Sequence, residues 1–428
     1  MYPTGTSIWE LTTVCVRMCI EQGLHKYPRP SMRKRISLLH EQLQRRVFWE
    51  CYMIDRYSSI TLDRPAAVAD EAIEVGFPVN ANDDEIDAAD SSGSFVDLNS
   101  FCHATTTTES APAANTEMSV FLLCLRLRKI TSKIQKRFQR NESANIPTNP
   151  ILMASITASG KIYADLDELL SELEQWRHSA PFFTAPRSLY ETQEWFDLLL
   201  VREKLLLIRN AIDLVPKRNN NIPPRDLTTI CLECAFETIM KFSAMFEQKK
   251  VTYTRSYFQM VFTAGLSVMY CVSVVTDYGL DTIMRAAEAM EQGEKTLKEM
   301  GKDLPDALHY VAVYEALRVH VLGKLKLPPG HYQAGGLNGG DTNSNLPGDS
   351  HELGRQQPGQ SIDNWLLPNE PDIRYHDLVP TLEQNDNTSL PSWDVFGDST
   401  FWDMEAGLGE YAYGDPMLLF SNITEDNV

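Results

Sequence analysis

LLHEQLQRRVFWECYMIDRYSSITLDRP, residues 38–65, decides the fold class. Its apolar residues recur at helical spacing. Leu39, Leu43, Val47, Cys51 or Tyr52, Ile54 and Ser58 fall on one face of a helix over 38–62. That stripe is the expected core face. Arg64-Pro65 then ends the helix, because a residue before proline avoids the helical region.

The same period extends in both directions. Upstream, Ile8, Leu11, Cys15, Met18 and Cys19 predict a helix over 7–23, with Gly23 as a natural C-terminal stop. Residues 26–35 read as a basic, proline-punctuated loop. Residues 78–116 are acidic and then rich in Ser, Thr and Ala, and are expected to be a disordered insertion, placed at about 80–116. Helical patterns resume over 118–140, 151–178, 188–214, 225–248, 254–278, 281–300 and 304–325, separated by proline and glycine breaks. No period-2 strand pattern and no internal repeat stands out. The expectation is an all-α, irregular multi-helix domain over 1–326.

The character changes after Leu327. Residues 327–428 carry 17 Asp and Glu against 2 Arg, a net charge of −15 out of −19 for the 428-residue chain. This segment is rich in Gly, Asn, Asp and Pro and should be disordered, since it cannot bury enough apolar surface to offset chain entropy. Apolar clusters stand among its carboxylates: Trp365-Leu366-Leu367, Trp393-Asp394-Val395-Phe396, Phe401-Trp402-Asp403-Met404 and Met417-Leu418-Leu419-Phe420. Acidic residues alternating with aromatic clusters suit an activation segment, in which carboxylates keep the rings apart until a partner groove captures them. A solubilising linker is the bland alternative.

Chemical motifs are lacking. There is no dinucleotide fingerprint, phosphate loop, nucleophile elbow or His-Glu-x-x-His. His25, His40, His178 and His309 sit singly near helix ends or surfaces, where a general base would have no partner. Cys231-x-x-Cys234 and Cys15 with Cys19 lie inside helical patterns and read as core residues, because a structural zinc site needs four ligands. No catalytic, cofactor-binding or metal-ligating residue is nominated. The basic residues Lys26, Arg29, Arg33, Lys34, Arg35, Arg45 and Arg46 fit a solvated face better than a nucleic-acid surface or import patch. Residues 256–276 lack charge over a membrane-spanning length, yet Gln259, the hydroxyl residues and two tyrosines favour a helix buried in a soluble bundle. Residues 1–30 lack the pattern of a secretory signal, and the cysteine spacing fits a reducing compartment.

Residues 20–80 carry a resemblance. Gly23-Leu24-His25, Arg45-Arg46-Val47-Phe48-Trp49, Asp55-Arg56, Arg64-Pro65 and the acidic run 71–78 ending in Pro78 resemble, in order, the middle regulatory domain of fungal zinc-binuclear-cluster transcription factors. Asp63 stands where that family usually has glycine. YFQMVFTAGLSVMYCV (257–272) and LPDALHYVAVYEALRVHVL (304–322) resemble later helices of the same domain. The resemblance implies a nuclear transcription regulator of a metabolic or secondary-metabolite gene set. It also implies that zinc is expected only in an N-terminal DNA-binding module absent from this sequence, where the front of the regulatory domain is also expected to be cut off. DNA would then be reached only through such a module or a partner. Transcription machinery or co-activators would bind the acidic tail, with no membrane role and dimerisation left open. The rival expectations are a non-DNA-binding accessory or sensor protein, and a helical enzyme with a buried polar cluster in a deep pocket.

Overall fold

Ser37, Thr192 and Thr254 each turn a side-chain oxygen onto the backbone N–H three residues on, at His40, Trp195 and Tyr257. Each satisfies a donor that the first helical turn leaves open, and each begins a helix. The computed structural model describes residues 8–28, 36–62, 64–107, 115–138, 152–217, 222–248, 254–275, 277–304 and 307–325. Among these residues there are eleven α-helices and no β-strand: α1 Ile8–Glu21, α2 Leu38–Thr61, α3 Asp83–Ser92, α4 Leu98–Thr107, α5 Ser119–Phe138, α6 Leu152–His178, α7 Gln193–Leu214, α8 Arg225–Glu247, α9 Arg255–Val274, α10 Leu280–Gly301 and α11 Leu308–Lys324. The all-α expectation holds. The acidic segment 327–428, with its aromatic clusters, lies outside the described residues, as do Asp63 and residues 29–35.

Helices α5 to α11 share the main core, and α9 is its central element. Phe258, Val261, Phe262, Ala264, Leu266, Val268 and Cys271 on α9 are fully buried. Helix α9 packs against α8, α10 and α11. It is long and apolar enough to cross a membrane, but most of it is buried inside the fold. Its close fit depends on two glycines. Tyr314 of α11 is fully buried and lies directly against Gly265 of α9 and Gly293 of α10, where a Cβ would clash with its ring or hydroxyl.

Helix α2 lies on α5 and carries α1 on one side and α3 and α4 on another. Around it stand two smaller clusters. One joins Val16, Cys19, Phe48, Trp49, Tyr52, Val68, Val75 and Leu125. The other joins Leu38, Val79, Ala81, Ile86, Leu98 and Phe101. Gly23 (φ 75°) follows α1 in the left-handed conformation expected of a stop.

Three expectations are corrected. The region 80–116 contains α3 and α4 rather than an insertion without structure, and only 108–114 of it lie outside the described residues. The acidic α3 is held by specific bonds. Glu85 accepts from the Asn82 backbone at 2.8 Å, Asp90 accepts from the Leu38 backbone at 3.1 Å, and Ile86 is fully buried. The predicted core stripe of α2 is buried only in part: Leu43, Val47 and Ile54 are 45%, 53% and 40% exposed, whereas Tyr52 and Ser58 are fully buried. Helix α1 likewise turns Ile8, Leu11, Cys15 and Met18 outward, whereas Cys19 of its predicted stripe is buried together with Thr12 and Val16.

Candidate functional site

The face that α2 buries is polar, comprising Glu41, Gln42, Arg45, Asp55, Arg56, Ser58 and Ser59 beside Phe48, Trp49 and Tyr52. Buried polar groups need partners, and these find theirs in the backbone of residues 64–79, which runs back along the helix and includes one 3-10 turn at Asp70–Ala72. Gln42 Nε2 donates to the Val79 carbonyl and Gln42 Oε1 accepts from the Val79 N–H, both at 2.9 Å. Arg45 donates to Phe77 O at 3.0 Å, and Trp49 Nε1 to Gly76 O at 2.9 Å. Asp55 accepts from Ala67 N at 3.0 Å, and Arg56 donates to Val68 O at 2.6 Å. The Gly-Leu-His turn joins the same array, since the His25 carbonyl accepts from Glu74 N and Val75 N at 2.9 and 3.0 Å. A loop without a β partner thus has its peptide groups satisfied by side chains.

Charges close the array. Arg45 pairs with Glu41 one turn back and donates to Asn99 of α4 at 2.8 Å. Arg46 pairs through both Nη atoms with Asp83 at the start of α3. Asp55 and Arg56, both buried, pair at 2.6 Å. Arg46 thus pairs with a carboxylate of a neighbouring helix, whereas the carboxylate partner of Arg45 lies on its own helix. Asp70 gathers four groups: Tyr52 at 2.7 Å, Lys129 at 2.9 Å, Ser132 at 2.7 Å and Arg56 at 3.5 Å. Burial alone would raise the Asp70 carboxyl, but these hydrogen bonds and the Arg56 charge outweigh it and hold it well below the usual carboxylate range. Trp49 is 2% exposed and meets Phe48, Tyr52 and Phe77 edge-on.

A cleft opens beyond the C-terminal turns of α2, where that helix faces α5, α7, α8 and α9. Its volume is about 110 Å³. The Tyr57 ring stands between the guanidinium groups of Arg128 and Arg202, 4.9 and 4.6 Å from its centroid, and Arg202 also donates to its hydroxyl. Glu203 is 2% exposed and pairs with Arg128 at 3.1 Å. Arg209, Gln259 and the hydroxyl residues Thr61, Thr131, Thr238, Ser256 and Thr263 complete the polar lining, beside the apolar Leu205, Leu206, Ile60 and Met260.

Among the described residues, no histidine or cysteine lines this cleft. His40, His178 and His309 are exposed, and His25 is half-buried. Cys231 and Cys271 are buried neighbours whose thiols share a hydrogen bond, which together with burial pushes Cys271 up. Burial pushes Cys234 up to about 12 and Cys51 up to about 12. Zinc binds thiolate, not thiol. Among the described residues no group of three or more His, Cys, Asp or Glu is placed to hold a metal ion, so these cysteines do not fit the zinc cluster that the resemblance implies for a separate module. The lining of the cleft comes from five helices, so no local spacing announces it.

Residues 1–178 match the sequence family described as fungal specific transcription factor domain. Among curated proteins, the chain is similar to the Zn(2)-C6 fungal-type transcription factor FTF1c of Fusarium oxysporum f. sp. lycopersici, 30% identical over 81 residues, which is 18% of this chain and 9% of that protein. FTF1a of the same organism is 29% identical over 83 residues, 18% of this chain and 8% of that protein. Protein STB5 of Saccharomyces cerevisiae is 32% identical over 76 residues, 18% of this chain and 10% of that protein. The matched stretch thus spans about a tenth of the length of these relatives. No solved structure matches. Helix α2, which carries the Arg-Arg-Val-Phe-Trp and Asp-Arg motifs, falls inside the family match, and through residues 1–178 this chain is similar to the fungal specific transcription factor domain family.

Proposed function

We propose that this chain is the helical regulatory body of a nuclear transcription regulator, with residues 327–428 as its acidic activation segment. The observation that carries the reading is the coincidence of the family match over 1–178 with the motif residues that meet on α2 and its loop. On this reading the motifs serve the integrity of the body. DNA contact comes from a zinc module or a partner outside residues 1–428, and the tail contacts transcription machinery or co-activators. A metabolic or secondary-metabolite gene set is the proposed target.

A reporter assay tests it. Residues 327–428 are fused to a heterologous DNA-binding domain, beside a variant with Trp365, Trp393, Phe401 and Trp402 changed to Ala. Transcription from the wild-type tail that the variant loses supports an activator whose aromatic clusters make the contact. A silent wild-type tail would favour the second reading, an accessory or sensor protein acting through the helical body. That second reading has one specific observation behind it, the polar cleft among α2, α5, α7, α8 and α9.

A further inference from the structure

Three cysteines gather where α1 packs on α2. Cys19 donates a hydrogen bond to Cys51, with 3.9 Å between the sulfurs. Cys15 stands one turn before Cys19 on α1, and it lies close enough to Cys51 to act on the ionisation of that thiol. The three differ in access. Cys15 is exposed, Cys51 half-buried and Cys19 buried. Cys231 and Cys271 also meet, yet both are buried, as is Cys234 beside them. An oxidant in solvent therefore finds an open thiol at the first cluster and none at the second.

A bond at this place would act on the motif helix. Cys19 belongs to the apolar cluster of Phe48, Trp49 and Tyr52, and Cys51 packs against it. Bonded sulfurs stand about 2.05 Å apart, so the contact has roughly 2 Å to close. Burial raises both thiols, Cys51 up to about 12. A thiol is a far weaker nucleophile than a thiolate, which leaves the first attack to the exposed Cys15. We propose that Cys19 and Cys51 form a reversible disulfide tying α1 to α2, entered through Cys15 and driven by a low-molecular-weight disulfide such as glutathione disulfide. The Cys15 thiolate attacks one sulfur of glutathione disulfide and expels one glutathione thiolate. The Cys51 thiolate attacks the Cys15 sulfur and expels the second. The Cys19 thiolate then attacks the Cys51 sulfur and returns Cys15 as a thiolate. In sum the pair loses two electrons and two protons, and glutathione disulfide becomes two glutathione thiols. In a reducing compartment such a bond is transient and serves as a sensor.

The bond is read by peptide mass, so its failure leaves the activator reading untouched. The full chain is held at a series of ratios of glutathione to glutathione disulfide, alkylated, and digested with trypsin without reduction. Cleavage after Arg17 separates Cys15 from Cys19, and cleavage after Arg46 and Arg56 frees the Cys51 peptide. The expected product is peptide 18–26 joined to peptide 47–56, while Cys231 and Cys271 stay reduced. Cys15→Ser should slow its formation at least about tenfold and leave the equilibrium yield unchanged, because Cys15 is regenerated. Cys51→Ser should abolish the product and leave Cys15 carrying glutathione. Should either variant fail to fold, the wild-type map still decides. No joined 18–26 and 47–56 product at any ratio, a product joined through Cys15 in its place, or an undiminished rate in folded Cys15→Ser would each overturn the proposal.

Discussion

Gln42 and Val79 exchange two hydrogen bonds of 2.9 Å, the side-chain amide of one standing where the peptide group of a neighbouring strand would stand for the other. Gln42 is fully buried and Val79 nearly so, so neither peptide group has water as an alternative partner. Gln42→Leu should therefore lower stability by about 2–4 kcal/mol, because each buried group left unsatisfied costs about 1–3 kcal/mol. Leu43→Gln, one residue along and pointing outward, should change stability by no more than about 0.5 kcal/mol. Urea unfolding of the two variants checks the orientation of α2, and equal losses would contradict it.

Trp49 anchors the same array through packing. Trp49→Ala should lower stability by about 3–5 kcal/mol, the range for deleting a buried large aromatic. Trp49→Phe keeps a ring beside Phe48 and Phe77 but leaves the Gly76 carbonyl unpaired, and should cost about 1–3 kcal/mol. Thermal unfolding measures both, and a midpoint unchanged in Trp49→Ala would contradict the burial.

Asp70 makes stability depend on pH. Its folded carboxyl lies below the unfolded value of about 3.9, held there by Lys129, Ser132, Tyr52 and Arg56 against the opposing effect of burial. Its contribution is thus fully present above about pH 4 and is lost as pH falls through the folded pKa. Wild-type stability should fall more steeply below about pH 4 than that of Asp70→Asn. Parallel curves for the two proteins would contradict the assignment.

Tyr314 occupies the space that a side chain at Gly265 would need. Gly265→Ala should destabilise by about 1–3 kcal/mol through overpacking. Tyr314→Ala creates a cavity of its own but should remove most of the added cost of Gly265→Ala, a coupling of roughly 0.5–3 kcal/mol in a double-mutant cycle. Additive losses would separate the two residues.

Helices of the main core were legible because their signals are local. Thr192 and Thr254 cap α7 and α9, and the apolar run 257–272 falls in the core. Leu43, Val47 and Ile54 of α2 depart from the expected core face because periodicity equates apolar with buried, while Tyr52 and Ser58 keep to it. In α2 the buried side chains satisfy a loop backbone, and Val47 and Ile54 turn outward. The same pairing of peptide groups was invisible in sequence, since Gln42 and Val79 are far apart and neither belongs to a strand. Helices α3 and α4 were missed because few apolar residues mark them, and Arg46 with Asp83 holds α3 in place. The cleft was illegible for a related reason. Tyr57, Arg128, Arg202 and Gln259 come from four helices and acquire a common role only when those helices meet.

The polar motif residues of α2 serve as the hydrogen-bonding partner of residues 64–79. Amide hydrogen exchange in the wild type and in Gln42→Leu tests it most directly. The account predicts that Val79 N–H, held by Gln42, and Ala67 N–H, held by Asp55, exchange far more slowly than open loop amides. It also predicts that Gln42→Leu releases Val79 while α9 stays protected. Exchange of both amides at the rate of an open loop in the wild type would contradict it.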